Sequence, residues 1–198
     1  MGRRTGAALA ALALAAASAA SAAAAVAPAS AQAVPEPEGY RMEAFRAPTP
    51  ETLRGARVIG TEEARALWEA GEAAFVDVLP RPPKPDLPEG TFWRPPPRED
   101  IPGSLWLPGT GYGALSEEAR AYLAAGLARA SGGDPRRLVV FYCQAECWMS
   151  WNAAKRALEM GHEAVAWYPD GTDGWAAAGL PLEPREPEPP APPSGPPS

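Results

Sequence analysis

Residues 138–160 read LVVFYCQAECWMSWNAAKRALEM, and this stretch decides the fold of the chain. Its first five residues are apolar and rich in β-branched and aromatic side chains, as in a strand buried inside a parallel sheet. From Asn152 to Met160 the apolar residues recur at spacings of three and four, which predicts a helix. The loop between them holds Cys143 and Cys147, the only cysteines of the chain. The loop N–H groups and the positive end of the helix should therefore surround two thiols.

The same alternation of strands and helices continues on either side of this stretch. Short apolar strands are predicted within 57–59, 73–79, 101–107 and 164–168, and helices at 61–71, 117–130 and 175–178. Thr61 and Ser116 are the predicted caps of the first two helices, and Asp170 and Asp173 those of the third. The pattern predicts a single α/β domain, residues 57–182, with a parallel sheet covered by helices on both faces. A ligand site is expected at the carboxyl ends of the strands.

The N-terminal residues predict export. Arg3 and Arg4 precede a long Ala/Leu run that ends in small residues at Ala31 and Ala33, so residues 1–33 read as a secretory signal peptide that is cleaved. We expect the mature protein in a bacterial periplasm, without a membrane attachment once the signal peptide is removed.

Charge and composition exclude several classes of partner and site. Cleavage would take two arginines from the 18 basic residues and none of the 24 acidic ones, so the mature chain is more acidic than its formal net charge of −6. No cluster of Lys and Arg is present, which argues against a nucleic-acid partner. The single histidine, His162, excludes a multi-histidine metal site, and no metal is predicted.

Three proline-rich segments surround or interrupt the predicted domain. Residues 34–56 should form an extended lead-in, anchored by Tyr40, Met42 and Phe45. Residues 80–102 contain nine prolines and should form a long surface loop without helix or strand, in which Phe92 folds back over the domain. The tail, residues 183–198, is almost entirely Pro, Glu and Ser and is predicted to be disordered.

The two cysteines could form one disulfide in an oxidising compartment. A loop this short contributes only about 2 kcal/mol when a disulfide closes it, which makes it a poor structural staple. A redox or regulatory use is therefore favoured, and a passive disulfide or two idle thiols is the open alternative. Trp148, beside the cysteines, is either a core residue or the wall of a site for a flat ligand.

Several segments resemble the rhodanese-like domain family. Asp77, in the sequence Phe-Val-Asp-Val, stands where that family carries the aspartate of its second strand. The segments similar to the family, in order and spacing, are 101–104, 138–143, the helix to Met160, 164–167, 170–171 and 175–181.

A closer resemblance is to a subgroup of exported rhodanese-like proteins that are linked to pyrroloquinoline-quinone-dependent alcohol catabolism and named for a CXXCW motif. Residues 147–156, CWMSWNAAKR, and lead-in residues 40–48 are similar to that subgroup. Three residues separate Cys143 from Cys147, so the CXXC spacing itself is not met. The resemblance implies a five-stranded parallel sheet with Cys143 at the nucleophile position. It implies an indirect link to pyrroloquinoline quinone, and no cofactor is predicted to bind the chain itself with certainty. The implied partner is a periplasmic quinoprotein dehydrogenase or a cytochrome.

This resemblance leaves three functions open, and with them the question of whether the chain is an enzyme. In the favoured one, an accessory protein of alcohol oxidation uses Cys143 and Cys147 for thiol, persulfide or redox chemistry. Thiosulfate-type sulfur transfer is the first alternative. The second is a non-catalytic module that docks a dehydrogenase or cytochrome.

The predicted substrate-contacting residues are Gln144, Ala145, Glu146 and Trp148 of the loop, together with Asp77. Thiosulfate is disfavoured because the loop offers an acid, Glu146, where active members of the family usually carry a base. A carboxylate about 5 Å from a thiolate would oppose it by about 1–3 kcal/mol. Asp100, before the Ile-Pro-Gly turn, adds another acid.

Overall fold

A computed structural model describes residue 2 and residues 33–190. The predicted signal peptide thus falls almost wholly outside the described residues. Within residues 33–190 no helix combines the length and the apolarity that crossing a membrane requires.

Strands and helices alternate as the sequence predicts. The helices are α1 (Thr61–Ala70), α2 (Glu117–Ser131), α3 (Trp148–Glu159) and α4 (Gly171–Ala177). The strands are β1 (Arg57–Val58), β2 (Ala74–Asp77), β3 (Arg98–Asp100), β4 (Leu105–Trp106), β5 (Val139–Tyr142), β6 (Val165–Trp167) and β7 (Glu183–Arg185).

Five strands form the predicted parallel sheet, in the order β1-β6-β5-β2-β4. The central strand β5 is buried on both faces, and its side chains alternate between two apolar layers. Val139 and Phe141 pack with residues of α2 and α3, whereas Val140 and Tyr142 pack with residues of α1 and α4. This double burial explains why β5 reads as an unbroken apolar run. The α/β fold class is confirmed.

Two proline-rich segments contain strands that the sequence analysis did not predict. Residues 98–100 were expected to be irregular, yet they form β3. Residues 183–185 were expected to be disordered, yet they form β7, which pairs antiparallel with β3. Proline is tolerated here because this two-stranded ribbon stands outside the main sheet, so a missing N–H leaves no central ladder unpaired. Residues 186–190 are also described, and residues 191–198 are not.

Smaller details also differ from the predictions. Gly60, not Thr61, is the N-cap of α1, and the Thr61 hydroxyl lies 2.9 Å from the Tyr168 hydroxyl. Ser116 does cap α2, because its Oγ accepts the Ala119 N–H at 3.2 Å. Phe92 is 89% exposed rather than folded back over the domain, and Met42 is exposed as well.

Candidate active site

The cysteine loop, residues 143–147, connects the end of β5 to the start of α3 at the carboxyl edge of the sheet. Thr172 at the start of α4 fixes its first residue, because both its N–H and its hydroxyl donate to the Cys143 carbonyl at 3.1 Å. Gly171 lies so close that a Cβ there would come within 2.6 Å of the same carbonyl oxygen. Only glycine fits this approach, so α4 is held against the loop.

Cys143 and Cys147 form a disulfide, with their Cα atoms 6.5 Å apart. Neither cysteine is open to solvent: the exposed fractions are 0% for Cys143 and 2% for Cys147. Beneath them, the Sγ of Cys143 lies 3.3 Å from the Oγ of Ser150, which accepts the Trp167 indole N–H at 3.0 Å. The loop therefore presents a buried disulfide with one hydroxyl beside it.

The lead-in covers the outer side of this loop. We call residues 45–48 the strap, because they run across Cys147 with antiparallel pairing between Arg46 and Cys147. The N–H of Ala47 donates to the Glu146 carbonyl at 3.0 Å, and the N–H of Trp148 donates to the Phe45 carbonyl at 2.9 Å.

Trp148 is fixed beneath the lead-in as well. Its indole N–H donates to the Pro48 carbonyl at 3.1 Å, and the Arg41 guanidinium lies 5.1 Å from its ring centre. It is nearly fully buried. Trp148 is thus packed in the core, and its contact with a substrate stays a prediction.

Arg98 lies against the opposite side of the loop and was missed by the sequence analysis. Its Nε donates to the Asp77 carboxylate at 2.6 Å, and its Nη2 donates to the Cys143 carbonyl at 3.1 Å and to the Thr172 hydroxyl at 3.0 Å. Asp77 is fully buried and also accepts the Leu79 N–H. Asp77 thus bonds to neighbouring segments, and its contact with a substrate stays a prediction. The available signal for Arg98 was its position two residues before Asp100 and the Ile-Pro-Gly turn.

A second buried acid, Asp100, lies behind this pair. The Tyr142 hydroxyl donates to its Oδ1, and the Ser104 hydroxyl lies 2.6 Å from the Tyr142 oxygen. Burial raises the pKa of Asp100 to about 7, the negative charge of Asp77 adds to the rise, and the Tyr142 hydrogen bond and the Arg98 charge oppose it. Burial, followed by the nearby carboxylates, raises the pKa of Tyr142 well above its ordinary value.

The remaining loop residues divide between contact and exposure. Ala145 donates its N–H to the Asp173 carboxylate at 3.2 Å, so Asp173 holds the loop rather than capping a helix at Trp175. Glu146 is exposed and has a φ of 51°, in the left-handed region. Gln144 pairs with Gly171 and is half-buried.

A groove of about 490 Å³ runs beside the loop on the side of β2 and β4. Five prolines from residues 80–97 form its walls, and Trp106, Arg98 and Gln144 also line it. Within the part of the chain that the structure describes, no three His, Cys, Asp or Glu side chains group as metal ligands would. The structure brings Cys143, Cys147, Gln144, Ala145 and Glu146 together, but their roles in chemistry stay predictions.

Comparisons with known proteins show which family has this architecture. A family model described as "Rhodanese-like domain" matches residues 61–178. Thiosulfate sulfurtransferase from Pseudomonas aeruginosa is similar at 26% identity and a TM-score of 0.46, over 68% of this chain and 21% of that one. A polysulfide-sulfur transferase homodimer from Wolinella succinogenes is similar at 20% identity and a TM-score of 0.43, over 67% of this chain and 81% of that one. This chain thus covers about a fifth of the Pseudomonas protein. No curated protein matches the sequence. The match to the family model extends from α1 through α4, and the chain belongs to the rhodanese-like domain family.

Proposed function

We propose that this protein carries sulfane sulfur on Cys143 and that Cys147 resolves the resulting persulfide. The observation that supports this is the disulfide between the first residue of the cysteine loop and the residue that caps α3. A nucleophilic thiol in a rhodanese-like loop needs only a second thiol within reach to release the sulfur that it has accepted. Cys147 is that thiol.

The proposed cycle balances in three steps. The Cys143 thiolate attacks the outer sulfur of an organic persulfide. That sulfur is transferred to Cys143, which becomes a persulfide, and the rest of the donor leaves as a thiol. The Cys147 thiolate then attacks the Sγ of Cys143, which forms the disulfide and releases sulfide. A dithiol reductant restores both thiols and is itself oxidised to a disulfide.

The electrostatics of the loop favour an organic persulfide over thiosulfate as the donor. The Ala145 N–H, which could otherwise hold an anion, already donates to the Asp173 carboxylate. Arg98 is neutralised by Asp77. A thiosulfate dianion would thus meet the Asp173 and Asp77 carboxylates beside the loop, which oppose its binding.

Mass spectrometry of the reduced Cys147→Ser variant tests the sulfur-transfer step. After treatment with cysteine persulfide, we expect the variant to gain the mass of one sulfur atom on Cys143, because no resolving thiol remains. Reduced wild-type protein should instead return to the disulfide and release one equivalent of sulfide. Cys143→Ser is the control and should gain nothing. Disulfide formation without sulfide release would contradict the proposal.

We further propose that this step takes place in a periplasm, in support of pyrroloquinoline-quinone-dependent alcohol oxidation. The signal-like N-terminus and the resemblance of residues 40–48 and 147–156 to the CXXCW subgroup support this. A deletion strain should lose growth on alcohols, and Cys143→Ser should fail to restore it. If Cys143→Ser restores growth, the protein acts by docking a dehydrogenase or cytochrome and not by thiol chemistry. The burial of both sulfurs is the observation that favours this docking role as a second candidate.

A further inference from the structure

The strap makes the disulfide inaccessible to any reductant in the state that the structure shows. Thiol–disulfide exchange needs a thiolate to approach a sulfur along the S–S axis. Arg46 pairs with the backbone of Cys147, and both cysteines are buried. Phe45 and Ala47 of the strap pack against the apolar cluster that contains both cysteines. Completing the proposed cycle therefore requires the strap to leave.

The strap is joined to the loop in a way that allows it to leave. Its hydrogen bonds are one backbone bond to the loop, one backbone bond to Trp148 of α3, and one from the Trp148 indole N–H, and Arg46 and Pro48 face solvent. Ala44, immediately before the strap, has a φ of 48°, and Glu146, which accepts the Ala47 N–H, has a φ of 51°. Neither residue is glycine, so the backbone is strained at one position beside the strap and at one position in the loop.

We propose that residues 145–148 form a docking edge for an extended segment of the dithiol protein that reduces the disulfide, and that the strap occupies this edge until the partner displaces it. The inference rests on the proposed function, because it assigns the partner and the regulation of the same site.

The strap itself shows which partner fits. The docking edge offers the Glu146 carbonyl as an acceptor and the Trp148 N–H as a donor, two residues apart, as an exposed strand edge does. The Trp148 indole N–H adds a donor for a third backbone carbonyl. An apolar side chain is also favoured, since the Phe45 ring lies 5.2 Å from the Tyr112 ring in an edge-to-face contact. The partner segment should therefore be extended and carry an aromatic or large apolar residue.

Docking there would place the partner thiolate next to Cys147. Its attack on the Sγ of Cys147 forms a mixed disulfide and releases Cys143 as a thiolate, 3.3 Å from the Ser150 hydroxyl. The second thiol of the partner then attacks the partner sulfur of the mixed disulfide and frees Cys147. The partner is oxidised and the chain is reduced.

The rate of disulfide reduction in the full chain tests this inference. Ala47→Pro removes the N–H that donates to Glu146, so we expect dithiothreitol and thioredoxin, as a probe dithiol protein, to reduce this variant about tenfold faster than the wild type. Arg136→Ala, an exposed change far from the loop, is the matched control and should leave both rates unchanged. Equal rates in Ala47→Pro and the wild type would overturn the inference.

A competing peptide tests the docking edge itself. A synthetic peptide of residues 40–53 should slow the reduction of Ala47→Pro by thioredoxin several-fold, whereas the same peptide with Phe45→Ala should not. Absence of any slowing by the first peptide would overturn the docking edge. These rates do not depend on sulfur transfer. Persulfide formation with unchanged reduction rates would refute only the docking edge, and the reverse result would refute only the proposed function.

Discussion

The guanidinium of Arg98 joins three segments that are far apart in sequence. Its contacts reach Asp77 at the end of β2, the Cys143 carbonyl at the end of β5, and Thr172 at the start of α4. Its side chain is 15% exposed and that of Asp77 is fully buried, so the pair is held in a weakly screened environment. Arg98 therefore fixes the position of the Cys143 carbonyl through a hydrogen bond to the backbone.

Arg98→Gln should destabilise the protein by about 3–5 kcal/mol, because it leaves the Asp77 carboxylate buried without its charge partner. Adding Asp77→Asn to Arg98→Gln should recover part of that loss, since no buried charge then remains. Urea unfolding measures both effects. The exposed Arg136, paired with Asp134, provides the control, and Arg136→Gln should change little. A loss in Arg98→Gln no larger than in Arg136→Gln would contradict this account of the pair.

Asp100 should make the stability depend on pH in an unusual direction for a carboxyl group. Its pKa in the folded chain is about 7, above the ordinary value of 3.8, so the folded state binds the proton more tightly than the unfolded state. Stability from this group is therefore fully present below about pH 4 and is lost as the pH rises to about 7. The Asp100→Asn variant has no carboxyl group to titrate at this position, so the unfolding free energy of the wild type relative to that variant should fall by about 3 kcal/mol between pH 4.5 and 8.

The exposed Asp134 supplies the comparison for that titration. Its interaction with Arg136 lowers its pKa below the ordinary value, so its own contribution changes only below pH 4. The difference between wild type and Asp134→Asn should be flat from pH 5 to 8. If the Asp100→Asn difference is equally flat, Asp100 is ionised throughout that range.

At the scale of elements, Asn152 is one of the α3 residues that hold the lead-in, together with Trp148 and Trp151. Its side-chain amide accepts the Arg41 N–H and donates to the Arg41 carbonyl, both at 2.9 Å, and it donates to the Gly111 carbonyl at 3.0 Å. Such two-way pairing holds an irregular segment in register much as a neighbouring strand would.

Asn152→Ala should loosen the lead-in without unfolding the domain. All three bonds are lost together, so we expect amide hydrogen exchange across residues 41–48 to speed up by at least tenfold, while that of β5 is unchanged. Lys155→Ala on the same helix controls for changes in α3 itself. Equal acceleration in β5 would show that Asn152 supports the whole domain and not the lead-in alone.

Local sequence patterns predicted the buried strands and helices, but they could not predict pairing between segments that are far apart in the sequence. The apolar run of β5 and the Ser116 cap both act within a few residues, and each could be read from the sequence. By contrast, β3 forms only because β7 returns to it from more than eighty positions away. Arg98 was missed for the same reason, since its partners belong to three different elements. The cysteine pair could be identified from the sequence, but the packing of the strap against the cysteine loop could not.

At the scale of the whole molecule, both flanking segments pack against the sheet domain. The lead-in crosses α3, and the start of the tail crosses β4 and α2. Glu188 donates its N–H to the Trp106 carbonyl at 2.9 Å, and its own carbonyl accepts the Tyr122 hydroxyl at 2.7 Å. The segment before it, β7, holds β3, which carries both Arg98 and Asp100. The proline-rich tail is thus connected, through one strand, to the position of the Cys143 carbonyl.

Truncation of the tail should therefore affect the cysteine loop from the far end of the chain. A protein that ends at Leu182 loses the β3–β7 pairing, the Glu188 contacts and the Glu183 carboxylate that accepts the Gly103 N–H. At about 0.5–1.5 kcal/mol for each hydrogen bond, we expect a loss of about 2–4 kcal/mol in unfolding free energy. Amide hydrogen exchange should also speed up in residues 98–101 and 143–147. The backbone of β3 would lose its pairing with β7, so Arg98 would be held only by its side-chain contacts. A protein that ends at Pro190 keeps every one of these contacts and is the matched control. If the two truncations are equally stable, β7 does not support β3, and Arg98 must be positioned by its own three contacts alone.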